Sequence, residues 1–178
     1  LTAKSDRPNI LFAISDDQSF AHTSAAGDPV VRTPHFDRIA AEGVRFSHAY
    51  CCSPSCTPSR SAILTGQEPY RLEEAGNLWS TLRSKFDVYP DMLEAAGYEV
   101  GFTRKGWGPG LDTAGGRTRN PAGDRFDDFE SFFSQRDNER PFCFWFGSSD
   151  PHRAYEKGSG LRAGMNIDDV RVPDFLPD

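Results

Sequence analysis

The sequence predicts an α/β fold with a mainly parallel sheet that helices cover on both faces. Two continuous apolar runs, at residues 9–15 and 141–147, have the length and composition of buried strands. Strand-like and helix-like segments alternate along the chain, and this alternation favours parallel strands joined by helical crossovers. Gly43 and Gly97 each follow a helix-like segment, as is typical of helix ends.

The same patterns place the individual elements. We expect strands at 9–15, 44–49, 98–103 and 141–147, and helices at 34–42, at 89–96 and from Cys56 onward. Pro58 fits the first turn of the helix at Cys56, because a proline lacks the N–H that is unpaired there. The stretch 106–124 is rich in glycine and contains two prolines, so it predicts a long loop over the site and not a linker between domains.

Length, composition and charge exclude several classes of protein. The 178 residues are 37% hydrophobic and 12% aromatic, which suits a globular domain with a substantial core. No apolar stretch approaches the roughly 20 residues that span a bilayer, and the first ten residues lack the layout of a signal peptide. This is consistent with a mature form without its leader.

The net charge of −6 argues against a surface that binds nucleic acid or heparin over a wide area. Any polyanionic substrate must therefore be bound by a local cluster of basic residues. Four basic residues can supply that local positive field: Arg60, Arg104, Lys105 and Arg153.

The four cysteines predict neither a disulfide framework nor a zinc site. Cys51 and Cys52 are adjacent and cannot pair without unusual strain, and the spacing of the four fits no zinc ribbon. Cys143 lies inside the second apolar run, where it most simply behaves as a small buried hydrophobic residue.

Residues 56–60, Cys-Thr-Pro-Ser-Arg, place Cys56 one turn ahead of Arg60 at the start of a short helix. The unpaired backbone donors and the positive end of the helix dipole then face whatever Cys56 contacts, which suits an anion site around a modifiable sulfur. A helix start with a buried thiol is the alternative, and these five residues alone leave both interpretations open.

Asp16 and Asp17 end the first apolar run. In open α/β sheets, ligands collect beyond the carboxyl ends of the strands, so paired aspartates there are well placed to hold a cation. Binding of Ca²⁺ or Mg²⁺ would relieve the repulsion between the two carboxylates. A solvated turn with an aspartate as helix cap is the alternative.

Taken in order, four segments resemble those of the type I sulfatases. They are residues 7–10 (Arg-Pro-Asn-Ile), 16–17 (Asp-Asp), 33–40 (Thr-Pro-His-Phe-Asp-Arg-Ile-Ala) and 56–60. The resemblance implies an alkaline-phosphatase-like fold. Residues 150–153 (Asp-Pro-His-Arg) and 169–177 (Asp-Val-Arg-Val-Pro-Asp-Phe-Leu-Pro) look most like the branch that contains heparan N-sulfatase, or sulfamidase.

The resemblance implies that a formylglycine-generating enzyme, which reads Cys-x-Pro-x-Arg, converts Cys56 to Cα-formylglycine. One hydroxyl of the aldehyde hydrate then attacks sulfur, and the covalent sulfate ester on the enzyme collapses by eliminating sulfate. The family likeness further implies Ca²⁺, with Mg²⁺ as the alternative, held by Asp16, Asp17 and the modified Cys56. Arg60 would steady the hydrate and the charge beside the metal.

Two further residues take roles from the resemblance. Lys105 lies in a segment similar to the family's Gly-Lys-x-His, where the lysine contacts sulfate, although Trp107 stands in place of the histidine and Arg104 competes for the lysine's slot. A solvated charge is the alternative for Lys105. His152 would bind the sulfate and protonate the departing oxygen or nitrogen, a task that suits imidazole near neutral pH. A plain turn histidine is its alternative.

The resemblance thus implies a sulfuric ester or sulfamate hydrolase that acts on a sulfated sugar or glycosaminoglycan fragment, such as one containing N-sulfoglucosamine. Phosphonate or phosphate monoester hydrolysis within the same superfamily is one alternative, and an inactive anion-binding fragment is another. We expect a periplasmic, secreted or lysosomal location and no nucleic-acid or membrane partner. A homodimer is left open.

Type I sulfatases are longer than this chain and have further metal ligands in a later part of the fold. The resemblance therefore predicts that residues 1–178 are the N-terminal portion of a sulfatase catalytic domain whose C-terminal part is missing.

Overall fold

The computed structural model describes residues 7–172 and 174–176, and it divides the chain into two compact units. The first unit comprises the described residues of Leu1–Asp16 together with Tyr50–Asp150. The second unit comprises Asp17–Ala49 and the described residues of Pro151–Asp178. Pro173 and Pro177, which belong to the sulfamidase-like closing segment, lie outside the described residues.

Among the described residues, four strands of the first unit form one sheet in the order β1-β4-β2-β3. They are β1 (Ile10–Ile14), β2 (Glu99–Arg104), β3 (Asp124–Phe126) and β4 (Phe142–Gly147). Every neighbouring pair is parallel, with Ile10 opposite Cys143 and Glu99 opposite Phe142. The carboxyl ends of all four strands therefore meet at one edge, where α/β proteins bind their ligands.

The helices of the first unit are α2 (Cys56–Thr65), α3 (Tyr89–Ala95) and α4 (Phe129–Gln135), and those of the second are α1 (Pro34–Glu42) and α5 (Ser159–Arg162). Helix α2 ends at Gly66, whose φ of 66° lies in the left-handed region that glycine adopts at little cost. Helix α4 begins with a capping box, in which the Asp128 side chain accepts from the Ser131 N–H and the Ser131 side chain accepts from the Asp128 N–H.

One face of the sheet packs against α2 and the loops around it. Leu64 of α2, Phe102 of β2 and Trp145 of β4 share this core with Trp107. Further buried residues complete it: Leu72, Ala75, Leu82, Val88 and Ala122. Burying each large apolar side chain contributes about 1.5–3 kcal/mol, so this packing holds α2 firmly on the sheet.

The other face packs against α4 through phenylalanine rings. The centroid of the Phe132 ring lies 4.7 Å from that of Phe144 and 5.8 Å from that of Phe142. Gly101 of β2 is required below these rings, because a Cβ there would lie 2.7 Å from the Phe126 ring. The two cores confirm the predicted parallel sheet with both faces covered.

In the second unit, hydrogen bonds and not apolar packing hold the segment before α1. The Asp37 carboxylate accepts from Thr33 Oγ1 at 2.9 Å and from the Ala25 N–H at 3.0 Å. The Asp28 carboxylate pairs with the Val31 N–H, the His22 side chain and the Val30 N–H, and these hydrogen bonds lower its pKa to about 2. All residues of α1 are described, and none of them is buried.

The structure confirms the strands predicted at 9–15, 98–103 and 141–147 and the predicted helices, with ends shifted by one or two residues. The strand predicted at 44–49 is wrong. These residues are all described and form no strand, and Val44 and Phe46 are 79% and 73% exposed. Apolar side chains alone do not make a strand, and among the described residues no strand pairs with this segment.

Among the described residues, no helix has both the length and the apolar character required to cross a membrane.

Candidate functional site

The site in the first unit is assembled from segments that leave the carboxyl edge of the sheet. The backbone continues the parallel ladder past the strand ends, because the Ser148 N–H donates to the Ile14 carbonyl at 2.9 Å and the Lys105 N–H to Gly147 at 3.1 Å. The Asp16 N–H then donates to the Asp150 carbonyl at 3.0 Å. Asp16 after β1 and Lys105 after β2 are therefore fixed at the ends of the two strands that flank β4.

Cys56 is the first residue of α2, as the sequence predicted, and is partly buried. The preceding Ser55 makes no side-chain capping bond to any described residue of this ten-residue helix. The backbone donors of the first turn and the positive end of the dipole are thus left for an anion. Thr57, the next residue, donates from Oγ1 to the Pro109 carbonyl at 2.6 Å and so ties the head of α2 to the loop after β2.

Cys56, Lys105 and Asp16 contact one another. Lys105 Nζ lies 3.2 Å from Cys56 Sγ and also donates to Asp16 Oδ2. Cys56 Sγ lies 3.7 Å from Asp16 Oδ1. The sulfur, the ammonium group and the carboxylate therefore form a compact triangle at the head of α2.

Arg60 joins this triangle one turn further along α2. Its side chain is only 3% exposed, and Nη2 lies 3.3 Å from Asp16 Oδ1. Nη1 donates to the carbonyl groups of Lys105 at 2.9 Å and Gly106 at 2.8 Å. Arg60 thus fixes both the Asp16 carboxylate and the backbone that carries the Lys105 side chain.

The charges of the triangle favour an anionic ligand. Burial raises the pKa of Asp16, but the hydrogen bonds and charges of Lys105 and Arg60 outweigh burial and hold the pKa below its ordinary value. Two cations therefore surround one ionised carboxylate, which leaves an excess positive charge beside Cys56.

The loop after β2 is held by several contacts that the sequence did not reveal. The Lys105 carbonyl also accepts from Trp145 Nε1 at 3.1 Å. A Cβ at position 147 would lie 1.8 Å from that carbonyl oxygen, so Gly147 is needed for the close approach. Arg104, the other candidate for the family's sulfate-contacting lysine, is exposed and has a φ of 59°. The structure therefore places Lys105 beside Cys56.

Trp107 is buried, and its Nε1 donates to Ser61 Oγ of α2 at 2.8 Å. This indole occupies the position of the histidine in the predicted Gly-Lys-x-His segment. Its contacts anchor the loop to α2, and it carries no exchangeable proton suited to acid–base chemistry.

Asp17 and His152 lie in the second unit and pair with each other. His152 Nε2 lies 3.5 Å from Asp17 Oδ2, and His152 Nδ1 lies 2.8 Å from the Arg153 carbonyl oxygen. Because a carbonyl oxygen only accepts, Nδ1 carries a proton in this contact. The side chains are 35% and 44% exposed for His152 and Asp17, so both remain accessible to a ligand.

Cys143 differs from Cys56, because it is buried and burial raises its pKa to about 11. This agrees with the structural role predicted for Cys143. Cys51 and Cys52 are exposed free thiols.

Comparison with known proteins assigns the chain to a family. The model of the sulfatase family matches residues 8–161, which is most of the chain. The chain belongs to the sulfatase family.

Among its curated relatives in this family, the N-acetylgalactosamine-6-O-sulfatase of Bacteroides thetaiotaomicron is 39% identical over 120 residues, covering 65% of this chain and 23% of the relative. The N-acetylglucosamine-6-O-sulfatase of the same organism is 30% identical over 175 residues, covering 83% and 31%. The chain therefore spans between about a quarter and a third of these two relatives.

Solved structures confirm the alkaline-phosphatase-like α/β fold. A protein in complex with its substrate D-glucosamine-2-N,6-O-disulfate superposes with a TM-score of 0.66 at 26% identity, covering 85% of this chain and 36% of that protein. The phosphonate monoester hydrolase of Agrobacterium radiobacter has a TM-score of 0.60 at 15% identity, covering 83% and 42%, and this likeness concerns the fold alone.

The donor atoms of this sulfatase-family chain suit a hard cation once the sulfur of Cys56 has been replaced. The carboxylates of Asp16 and Asp17 offer oxygen atoms of the kind that Ca²⁺ and Mg²⁺ prefer. The thiol of Cys56 is a soft ligand and a poor match for these ions. Replacing sulfur by oxygen at position 56 would give this side chain a donor of the kind that these ions prefer.

Two residues that position this sulfatase-family site, Thr57 and Gly147, were not predicted. The sequence did indicate a role for Gly147, because a glycine that ends a buried apolar run often marks a close backbone approach. No sequence pattern indicates the role of Thr57, since its partner is a backbone carbonyl 52 residues away.

Proposed function

We propose that this chain carries catalytic residues of a hydrolase that removes sulfate from a sulfated carbohydrate, with Cys56 as the precursor of the nucleophile. One observation carries the proposal: Cys56 Sγ lies at the uncapped head of α2, 3.2 Å from Lys105 Nζ and 3.7 Å from the buried carboxylate of Asp16. Membership of the sulfatase family supports the same chemistry.

The sulfur of Cys56 is the atom that must change. We infer that a formylglycine-generating enzyme acts on the segment 56–60, so that the hydrated aldehyde supplies a hydroxyl nucleophile and an oxygen ligand at this position. The Lys105 ammonium group, which lies against the Cys56 side chain, would then bind a sulfate oxygen and hold the sulfur atom close to the nucleophile.

Arg60 acts mainly through its neighbours. It lies against Asp16 and holds the carbonyl groups of Lys105 and Gly106, so the ammonium group of Lys105 is presented from a fixed backbone. Preorganised charges of this kind stabilise a developing anion without reorganisation during the reaction.

Asp16 and Asp17, with the oxygen that replaces the Cys56 sulfur, would hold Ca²⁺, or Mg²⁺ in its place. The bound ion would neutralise charge on the sulfate oxygens and on the nucleophile. Asp16 is suited to this role because its carboxylate is buried and its pKa lies below the ordinary value, so it stays ionised.

His152 would protonate the leaving group. Its imidazole is 35% exposed and is therefore accessible to a leaving group. An imidazolium group can give a proton to a departing oxygen or nitrogen.

We further propose a sulfated amino sugar as the substrate. The names of the two bacterial relatives specify 6-O-sulfates of N-acetylhexosamines, and the substrate of the solved structure carries sulfate on both nitrogen and oxygen. Cleavage of an N-sulfate, as in the sulfamidase branch, remains part of this proposal, as do a glycosaminoglycan fragment as the natural partner and a periplasmic, secreted or lysosomal location.

The test compares the protein with its Cys56→Ala variant on N-acetylglucosamine 6-sulfate, N-sulfoglucosamine and a nitrophenyl phosphonate. We expect turnover of a sulfated sugar to fall by at least about a thousandfold in Cys56→Ala, because the nucleophile is lost. Cys52→Ala, which removes an exposed thiol four residues earlier, is the matched control and should keep its activity.

A loss of only a few-fold in Cys56→Ala would contradict the proposed nucleophile. Preference of the protein for the phosphonate would assign it instead to phosphonate hydrolysis. Absence of turnover on all three compounds, with Cys56 converted, would favour an inactive anion-binding protein.

A further inference from the structure

Trp79 is an exposed aromatic residue with an unusual backbone conformation. Its side chain is 75% exposed, and its φ is 55°. The left-handed region is costly for a bulky residue and persists only where surrounding contacts impose it. Backbone conformations of this kind concentrate at binding and catalytic sites.

Backbone contacts with the loop after β2 impose the conformation. The Trp79 N–H donates to the Pro109 carbonyl at 3.2 Å, and the Leu111 N–H donates to the Ser80 carbonyl at 2.9 Å. Ser80 and Gly110 form a parallel bridge, and a Cβ at position 110 would lie 2.5 Å from the Ser80 oxygen. The indole therefore projects from a rigid support.

The same loop connects Trp79 to the head of α2. The Pro109 carbonyl that accepts from Trp79 also accepts from Thr57 Oγ1, the residue directly after Cys56. One carbonyl oxygen thus accepts from both the backbone of Trp79 and the side chain of the residue that follows the proposed nucleophile. Lys105 begins this loop four residues before Pro109.

We propose that the indole of Trp79 forms the subsite that stacks against the sugar ring of a sulfated carbohydrate. This rests on the proposed function and names the residue that recognises the sugar in addition to the sulfate. A pyranose has a face of C–H groups that packs on an aromatic ring while its hydroxyl groups stay in water. Two further exposed apolar residues are near Trp79 along the backbone: Leu78 precedes it, and the Leu111 N–H donates to the carbonyl of the following Ser80.

The first test measures binding directly by NMR of indole ¹⁵N–H groups. The sequence has three tryptophans, and Trp107 and Trp145 are 4% and 1% exposed, so Trp79 gives the one exposed indole signal. N-acetylglucosamine 6-sulfate should shift the Trp79 signal, whereas inorganic sulfate should leave it in place. A sulfated sugar that binds without moving this signal would overturn the proposal.

The second test separates sugar recognition from sulfate recognition. Trp79→Ala should raise KM for the sulfated sugar by at least about tenfold and change the inhibition constant of inorganic sulfate by less than about twofold. Trp79→Phe should restore most of the affinity, because it keeps an aromatic face. Trp79→Gly, which suits a φ of 55° without strain, should behave as Trp79→Ala does if loss of the ring is the cause.

Tyr70→Ala is the matched control, because Tyr70 is also exposed, at 81%, and lies in the same unit. It should keep the KM of the parent protein. An unchanged KM in Trp79→Ala, or equal changes for the sugar and for inorganic sulfate, would overturn the subsite. A protein that hydrolyses no sulfate ester but still shows the Trp79 shift would refute the proposed function and retain the subsite.

Discussion

At the scale of single residues, the Asp16 carboxylate contacts the three other side chains at the head of α2. It is buried, it pairs with both Lys105 and Arg60, and it faces the sulfur of Cys56. A buried carboxylate between two cations is stable only while all three charges remain, since an unpaired buried charge costs several kcal/mol. Asp16 thus holds the side chains of Lys105 and Arg60 in place and is also a proposed ligand of the metal ion.

Asp16→Asn should lower both stability and activity. The substitution removes the buried ion pair between Asp16 and Arg60, so we expect the free energy of unfolding to fall by on the order of 3 kcal/mol. Turnover should also fall and be partly restored by excess Ca²⁺, because an amide oxygen is a weaker ligand than a carboxylate. Denaturant unfolding and a calcium titration of activity measure the two effects.

Asp87→Asn, at an exposed position of the same unit, is the control and should change neither quantity. Wild-type calcium dependence in Asp16→Asn would show that Asp16 is not a metal ligand.

His152→Ala should distinguish substrates by their leaving groups. A sulfamate nitrogen must be protonated as the S–N bond breaks, whereas a nitrophenolate departs without a proton. We therefore expect turnover of N-sulfoglucosamine to fall at least about tenfold further than turnover of nitrophenyl sulfate. Equal losses on the two substrates would remove the proposed role as proton donor.

At the scale of secondary-structure elements, the end of β4 determines where Lys105 lies. Gly147 accepts from the Lys105 N–H and leaves room for the Lys105 carbonyl, which in turn accepts from Arg60 and Trp145. The charged triangle thus depends on a strand end that carries no charged side chain of its own.

Gly147→Ala should displace the loop after β2. The added methyl group would lie 1.8 Å from the Lys105 carbonyl oxygen, so the backbone must move, at a cost of about 1–3 kcal/mol in stability. Turnover of the sulfated sugar, corrected for the folded fraction, should fall as well because Lys105 moves with the loop.

The control is Gly160→Ala in α5, where the nearest atom is the flexible Met165 sulfur at 3.3 Å. Unchanged activity of folded Gly147→Ala would show that the position of Lys105 does not depend on this contact.

Periodicity and glycine or proline signals predicted β1, β2, β4 and the main helices, because these elements have long apolar runs or clear ends. They missed β3, which has only three residues, and α4, whose phenylalanines have helical spacing but extend over only seven residues. The strand predicted at 44–49 failed because a sequence window does not show whether a partner strand exists.

The residues of the candidate site were likewise predicted only in part. Asp16, Cys56 and Lys105 were predicted from motifs, but their contacts depend on the pairing of β1, β4 and β2 and were visible only in the structure. Trp79 carried no sequence signal, since exposure and backbone conformation distinguish it from other aromatic residues.

At the scale of the whole molecule, an acidic chain carries a local excess of positive charge. The net charge is −6, whereas Lys105 and Arg60 exceed Asp16 by one positive charge beside Cys56. This arrangement suits recognition of one sulfate group in place of broad adhesion to a polyanion. We retain as a proposal that residues 1–178 are the N-terminal portion of a longer catalytic domain, because the chain covers only 23% and 31% of the two bacterial relatives.

Peptide mass spectrometry of Cys56, in a preparation that hydrolyses a sulfated sugar, tests most directly whether this residue is the precursor of the nucleophile. We expect a peptide lighter than the cysteine form by the difference between cysteine and formylglycine, and an activity proportional to the converted fraction. Full activity in a preparation whose Cys56 is an unmodified thiol would refute the proposed nucleophile.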